Sequence, residues 1–219
     1  MIQYKIKMWL LIAIISCICL TPGCSKVYYS TMEKMGIHKR DILVDRVEEA
    51  RDSQLEAKKE FASALERFAS VVNYDGGDLE EKYNQLKDEL DNLEARAQEV
   101  HDRIEAVEDV AEALFDEWEQ ELNQYNSPRL RRASEQKLRE TKRRYKQLIR
   151  AMKRAEAKID PVLLPLRDEV LFLKHNLNAR AISSLKGELS RIQMDVSALV
   201  KDMERAIKEA DAFIQNMEE

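Results

Sequence analysis

Glycine and proline are scarce, five and four in 219 residues. So few chain breakers exclude a fold of many short strands and tight turns and leave room for long uninterrupted helices. Cysteine is as sparse, at three, and Cys17 and Cys19 lie inside an apolar amino-terminal run. Once that run is removed only Cys24 remains, and with Cys24 carrying a lipid no thiol is left, which excludes a disulfide framework and a cysteine-based metal or redox site. His38, His101 and His175 stand apart with no Glu-x-x-His pair, so di-iron ligation of the ferritin type has no ligands. No His-Glu-x-x-His, no Gly-rich phosphate loop and no Gly-x-Ser-x-Gly elbow occurs. The expectation is a protein without catalytic activity: no catalytic residue, no cofactor, no metal site and no small-molecule substrate.

Charge is what the chain has in quantity, 35% of its residues, and apolar side chains thread it at helical spacing. Between 78 and 125, Leu79, Tyr83, Leu86, Leu90, Leu93, Ala97, Val100, Ile104, Val107, Ala111, Leu114 and Trp118 recur at alternating steps of four and three. This draws one narrow apolar seam along a straight helix, the pattern of a coiled-coil partner. At about 1.5 Å per residue the helix is roughly 70 Å long, and its seam needs partners of matching length.

Three further stripes supply them. Val44, Val47, Ala50, Gln54, Ala57, Phe61, Ala64, Phe68 and Val71 form the first. It stops at Tyr74-Asp75-Gly76-Gly77, where paired glycines suit a helix end and Asp78 caps the next helix. Asn126-Ser127-Pro128 is a second junction, with Ser127 as cap and Pro128 at the first helical position. Leu130, Leu138, Tyr145, Leu148, Met152, Ala155 and Ile159 follow, and the phase runs on through Pro161 and Pro165 as Val162, Leu166, Val170, Leu173 and Leu177. A reversal has no reason to keep that phase, so the spacing predicts a kink at Asp160-Pro161, with Asp160 as a local cap. The last stripe is Leu185, Leu189, Ile192, Val196, Leu199, Met203, Ala206, Ala210, Phe213 and Met217. Matching lengths of 78–126 with 128–177, and of 41–73 with 181–217, place a turn near Asn178. The predicted fold is all-α, an elongated antiparallel coiled-coil-like bundle of four long helices; the alternative is a three-helix rod in which 161–217 is one helix.

Residues 1–23 read separately. Lys5 and Lys7 precede an uncharged apolar run at 8–20, and Thr21-Pro22-Gly23-Cys24 follows. The run is shorter than the roughly 17–20 residues of a membrane span, so the layout is that of a secretory signal. A small residue directly before a Cys resembles a bacterial lipobox, in which Cys24 is acylated, palmitate included, and the signal is cut away; Thr21 and Pro22 depart from the usual form. The alternative is an uncleaved anchor with an incidental Cys. Either way the chain is expected to be exported and tethered to a membrane. Ser25, standing where an Asp would retain the protein, points to the periplasmic face of the outer membrane. The expected division is a signal at 1–23, a lipidated tether at 24–40 and a helical bundle at 41–219. Without 1–23 the chain keeps 34 basic and 41 acidic side chains, a net −7, and export with net acidity disfavours nucleic acid.

Charge is unevenly shared between neighbours. Residues 78–121 hold 17 acids and 4 bases, whereas 129–158 hold 13 bases and 3 acids. One reading is that opposite charges flanking the seam set pairing and register. The sharper one is a basic face, built by Arg131, Arg132, Arg139, Lys142, Arg143 and Lys146, for an anionic partner such as lipid phosphate.

Longer runs carry a family resemblance. Residues 28–47, with Gly36-Ile37-His38-Lys39-Arg40-Asp41, the triplet Asp75-Gly76-Gly77, the run at 103–118 and that at 170–179, with Lys174-His175-Asn176-Leu177-Asn178, resemble an uncharacterised family of bacterial lipoproteins, domain of unknown function 2959. The resemblance spans nearly the whole chain after the signal and implies a helical lipoprotein of Gram-negative bacteria with no assigned activity or catalytic residue. On physical grounds His38, Lys39, Arg40, Lys174, His175 and Asn178 mix histidine, bases and amides, and antiparallel stacking is expected to bring them to one end of the bundle as an interaction surface. The functional expectation is a lipid-anchored scaffold or interaction protein of the cell envelope. Its partners would be the membrane through Cys24 and another envelope protein or a second copy. The alternative is a membrane-surface or lipid-binding helical rod.

Overall fold

The computed structural model describes residues 32, 36, 38–73, 78–176 and 179–218. The signal, Cys24, the glycine turn after Tyr74, Leu177 and Asn178 lie outside them, as do the side chains of Val71 and Leu185. Arg40–Glu219 forms one compact unit and Met1–Lys39 groups apart from it. The elements are α1 (Lys39–Asn73), α2 (Leu79–Glu121), a short 3-10 turn (Leu122–Gln124), α3 (Pro128–Glu156), α4 (Ile159–His175) and α5 (Ala179–Glu218). No strand occurs among the described residues.

The helix starts follow local chemistry. Asp78 takes a β-region backbone and accepts from the Glu80 N–H at 2.8 Å, satisfying one of the donors that a helix start leaves open. Ser127 does the same at 3.4 Å from the Leu130 N–H, and Pro128 fills the first helical position, where its missing N–H costs nothing.

Cross-helix ion pairs give the directions. On α1 and α2, Glu49 meets Arg103, Glu56 meets Arg96 and Arg67 meets Glu89, so one number rises as the other falls. Along α3 and α4, Lys142, Lys153, Glu156 and Arg167 meet Glu119, Glu108, His101 and Glu94 of α2 in the same descending order. Arg51 and Lys58 of α1 meet Asp211 and Glu204 of α5, which closes the ring of neighbours. The result is an all-α, four-sided antiparallel bundle in which α3 and α4 together act as one rod, α1 and α3–α4 standing diagonally opposite.

Where the four sides meet, the predicted seams meet too. Phe61, Ala64 and Phe68 of α1 share one layer with Leu90 and Leu93 of α2, Val162 and Leu166 of α4, and Ile192 and Val196 of α5. A fully buried Leu, Val or Phe contributes about 1.5–3 kcal/mol relative to exposure, so packing and not helix propensity holds these rods. Leu43 at 0% exposure takes the core position expected of Val44. Leu130, placed in the third seam, is instead 46% exposed. The cause is stagger: Phe213, Asn216 and Met217 at the end of α5 lie beside Lys137, Thr141 and Arg144, so the first turns of α3 have no α5 beside them.

The break also falls elsewhere than at Asp160-Pro161. α3 ends at Glu156, Ala157 and Lys158 form a turn, and Pro161 already sits in the first turn of α4, while Lys158 and not Asp160 occupies the cap position, without a side-chain cap bond. A proline removes the hydrogen bond to the carbonyl four residues earlier and crowds it, and four residues before Pro161 is Ala157. Pro165 is accommodated inside α4.

One seam residue breaks the rule of an apolar core. Gln54 is wholly buried, and neither its amide nitrogen nor its oxygen has a hydrogen-bond partner. An unpartnered buried amide costs about 1–3 kcal/mol. Gln54→Leu is therefore expected to raise the unfolding free energy by about that amount, measured by urea denaturation followed by circular dichroism. A loss of stability would show that the amide is satisfied in solution.

Candidate functional site

The break between α3 and α4 opens a groove toward α2. With the chain turned out at Ala157 and the small Ala97 opposite, a space of about 470 Å³ is left, lined by Glu94, Ala97, Gln98, His101, Glu156, Ile159, Asp160, Leu163 and Arg167. Ala97 was expected in the seam and is instead part of this wall, only partly buried.

Ion pairs hold both margins of the break. On the α2 side His101 Nδ1 lies 2.6 Å from Glu156 Oε1, and Arg167 bonds Glu94 Oε1 at 2.6 and 2.7 Å through Nη2 and Nε. On the α5 side Lys158 Nζ and Arg205 Nη1 each lie 2.5 Å from a different oxygen of Asp202, whose side chain is 6% exposed. The hydrogen bond from Lys158 lowers the Asp202 pKa against the opposing pull of desolvation, and the charges of Lys158, Arg205 and Arg154 add to it. The hydrogen bond and charge of Glu156 raise His101 above its ordinary value.

The lining has no Ser, Thr or Cys to act as nucleophile. Among the described residues no group of three or more His, Cys, Asp and Glu is placed to hold a metal ion. What the groove offers is a set of charged and amide groups suited to polar contact. Sequence reasoning passed over it because acids at helical spacing read as a solvated face. Its usable signal was Ala97, a small residue of the central seam on the helix that pairs with the proline-bearing rod.

The sequence-derived candidates fall into three groups. Arg40 opens α1, whereas Lys174 and His175 close α4; α1 and α3–α4 run in the same direction, so the structure sets Arg40 and the other two at opposite ends of the 40–219 unit. His38 is exposed and belongs with Lys39 to the amino-terminal group, while Asn178 and Cys24 are outside the described residues. Antiparallel folding of three rods necessarily separates the start of the first from the end of the third, which the expected single surface overlooked.

The basic face is partly spent. Lys142 pairs with Glu119 at 2.5 Å and lies 5.2 Å from the Phe115 ring centroid. Arg131 and Arg139 reach Glu135 of their own helix, and Arg132 donates to the Pro128 carbonyl. Arg143 and Lys146 are exposed and make no ion pair, as is true of Arg150 one turn on. Among the described residues, Lys142 and Lys153 of the thirteen bases of 129–158 form ion pairs with α2 and Lys158 with α5.

A family described as a protein of unknown function (DUF2959) matches residues 28–217. No curated protein and no solved structure matches the chain.

His101 carries a measurable consequence of the groove. A protonated histidine stabilised by a carboxylate contributes its stability fully below the unfolded pKa near 6.5 and loses it as pH rises through the raised folded value. The ring signals of His101 in an NMR titration are expected to move with a midpoint above 6.5, and Glu156→Gln is expected to bring the midpoint down. An unchanged midpoint would mean that the pair does not form in solution.

Proposed function

The chain belongs to the DUF2959 family, and within it we propose that the protein is a lipid-anchored scaffold of the bacterial cell envelope, facing the periplasm from the outer membrane. The observation that carries this reading is the division of the chain. Residues 40–219 close on themselves as one long bundle, and 1–39, with the signal-like run and Cys24, group separately. None of the described helices is long and apolar enough to cross a membrane. Under this reading a tether at Cys24 supplies the attachment, and the multiple acylation of a lipobox cysteine gives a stable hold where one chain would not. Ser25 supports the outer-membrane destination.

A rod of antiparallel helices with its apolar stripes turned inward displays long, regular, charged flanks to its surroundings. Such flanks serve selective contact better than chemistry, because charge pattern governs which partner is accepted. The partner under this reading is another envelope protein or a second copy of the chain.

Metabolic labelling with palmitate in a Gram-negative host tests the anchor. The wild type is expected to incorporate label, to shift in size on signal removal and to stay with the membrane fraction after a high-salt wash. Cys24→Ala is expected to lose the label and the size shift, and retention of both would end the lipoprotein reading. In-cell crosslinking from the bundle is expected to trap an envelope protein or a second copy.

A further inference from the structure

The outer side of the α3–α4 rod changes character along its length while keeping its direction. Arg143, Arg150, Ala157, Leu164 and Leu171 stand seven apart, and all five are exposed. Lys142, Lys153, Glu156 and Arg167 keep one flank toward α2 through the break, and Leu148, Ala155, Val162 and Leu166 stay buried on either side of it, so the outward file keeps its direction too. In the first half this outer face is basic: Arg143 and Arg150 reach solvent at its centre and Lys146, in register with Lys153, at its α2-side edge, and among the described residues no acid pairs with them. In the second half it is apolar: Leu164 is 51% exposed, Leu171 57% and Phe172 47%, with Asp168 among them. Leu171 and Phe172 adjoin and Leu164 stands two turns before them in the same outward file, so large apolar side chains recur along this side.

We infer that this face docks on an anionic phospholipid bilayer, with Arg143, Lys146 and Arg150 on headgroup phosphates and Leu164, Leu171 and Phe172 at the acyl boundary. Two features select a bilayer over a protein partner. Unpaired guanidinium groups call for dense anionic charge, and an acidic helix, including α2 of a second copy, would complement the basic half while leaving the apolar half in water. A bilayer offers phosphate and hydrocarbon side by side along a flat surface, over the roughly 40 Å that separate Arg143 from Leu171 at about 1.5 Å per residue. The inference goes beyond the scaffold reading and does not depend on acylation of Cys24.

The test uses the full chain with its three cysteines changed to serine and one reporter cysteine carrying an environment-sensitive fluorophore. The reporter replaces Leu171, or in a control Ala62, an exposed position on α1, the helix diagonal to α3–α4. The protein is reconstituted with vesicles of neutral phosphatidylcholine or of phosphatidylcholine with phosphatidylglycerol. The reporter at 171 is expected to shift to the blue on anionic vesicles at low salt, to return in 0.5 M salt and to stay unchanged on neutral vesicles, while the reporter at 62 stays silent throughout. Arg143→Gln with Arg150→Gln is expected to lower the docked-to-free ratio by roughly thirty-fold, about fivefold per charge removed. Both side chains lack partners, so far-UV circular dichroism of this variant is expected to match the parent. No response at 171 on anionic vesicles, or an equal response at 62, would overturn the inference. So would a concentration-dependent shift at 171 without vesicles, which would assign the face to a second copy.

Discussion

Each rod of this bundle buries an apolar stripe along most of its described length, and that demand outranks backbone regularity. At Pro161 the two conflict. The missing hydrogen bond to Ala157 and the crowding of its carbonyl cost roughly 3 kcal/mol inside a helix, enough to stop one on propensity alone. Beyond it lie Val162, Leu163, Leu166, Val170 and Leu173, all buried. At about 1.5–3 kcal/mol for each side chain, two of them offset the proline. The chain therefore opens for two residues and resumes in phase, where a loop and reversal would have surrendered the stripe.

An opened turn between two packed helices needs its polar groups satisfied, and the sequence meets that need from both neighbours. Glu156, the last residue of α3, is held by His101 of α2, and Lys158, which begins α4, is held by the nearly buried Asp202 of α5. A buried carboxylate is tolerable when both oxygens are engaged, as they are here by Lys158 and Arg205. The groove beside Ala97 is what remains of the space that a continuous helix would have filled. The break and the groove thus trace to one proline.

Most of the architecture was legible because it rests on periodicity. Phe61, Leu90, Ile104, Leu148, Leu199 and Met203 were placed inward by spacing alone and are buried. The caps Asp78 and Ser127 were legible because the donors of a helix start accept few residue types. Misplaced features are those decided by relations between elements. Leu130 has the right phase, but phase does not say that α5 stops short of it. The sequence pattern puts the kink at Asp160-Pro161, where the proline stands, whereas the effect of the proline acts four residues earlier, at Ala157. Arg40 and His175 were assigned to one end because their local chemistry is alike, although parity of the rods sends them to opposite ends. The groove was the least legible part, since His101, Glu94 and Arg167 carry no pattern that separates them from an ordinary charged flank.

The division of charge between α2 and α3 requires a reason outside stability. Exposed ion pairs are worth about 0–1 kcal/mol each, and a core of this extent does not need them. Lys142, Lys153 and Arg167, pairing in descending order with α2, are enough to fix direction and register. Arg143, Lys146 and Arg150 on α3 make no ion pair among the described residues and take no part in fixing direction or register. Nor does the net charge of −5 cancel their effect. At physiological salt the screening length is about 8 Å, near the spacing of packed helices. An approaching surface within that distance of α3 meets the local bases and little of the acidic flank beyond. A chain that is acidic as a whole therefore presents, along one side, the electrostatics of a basic protein.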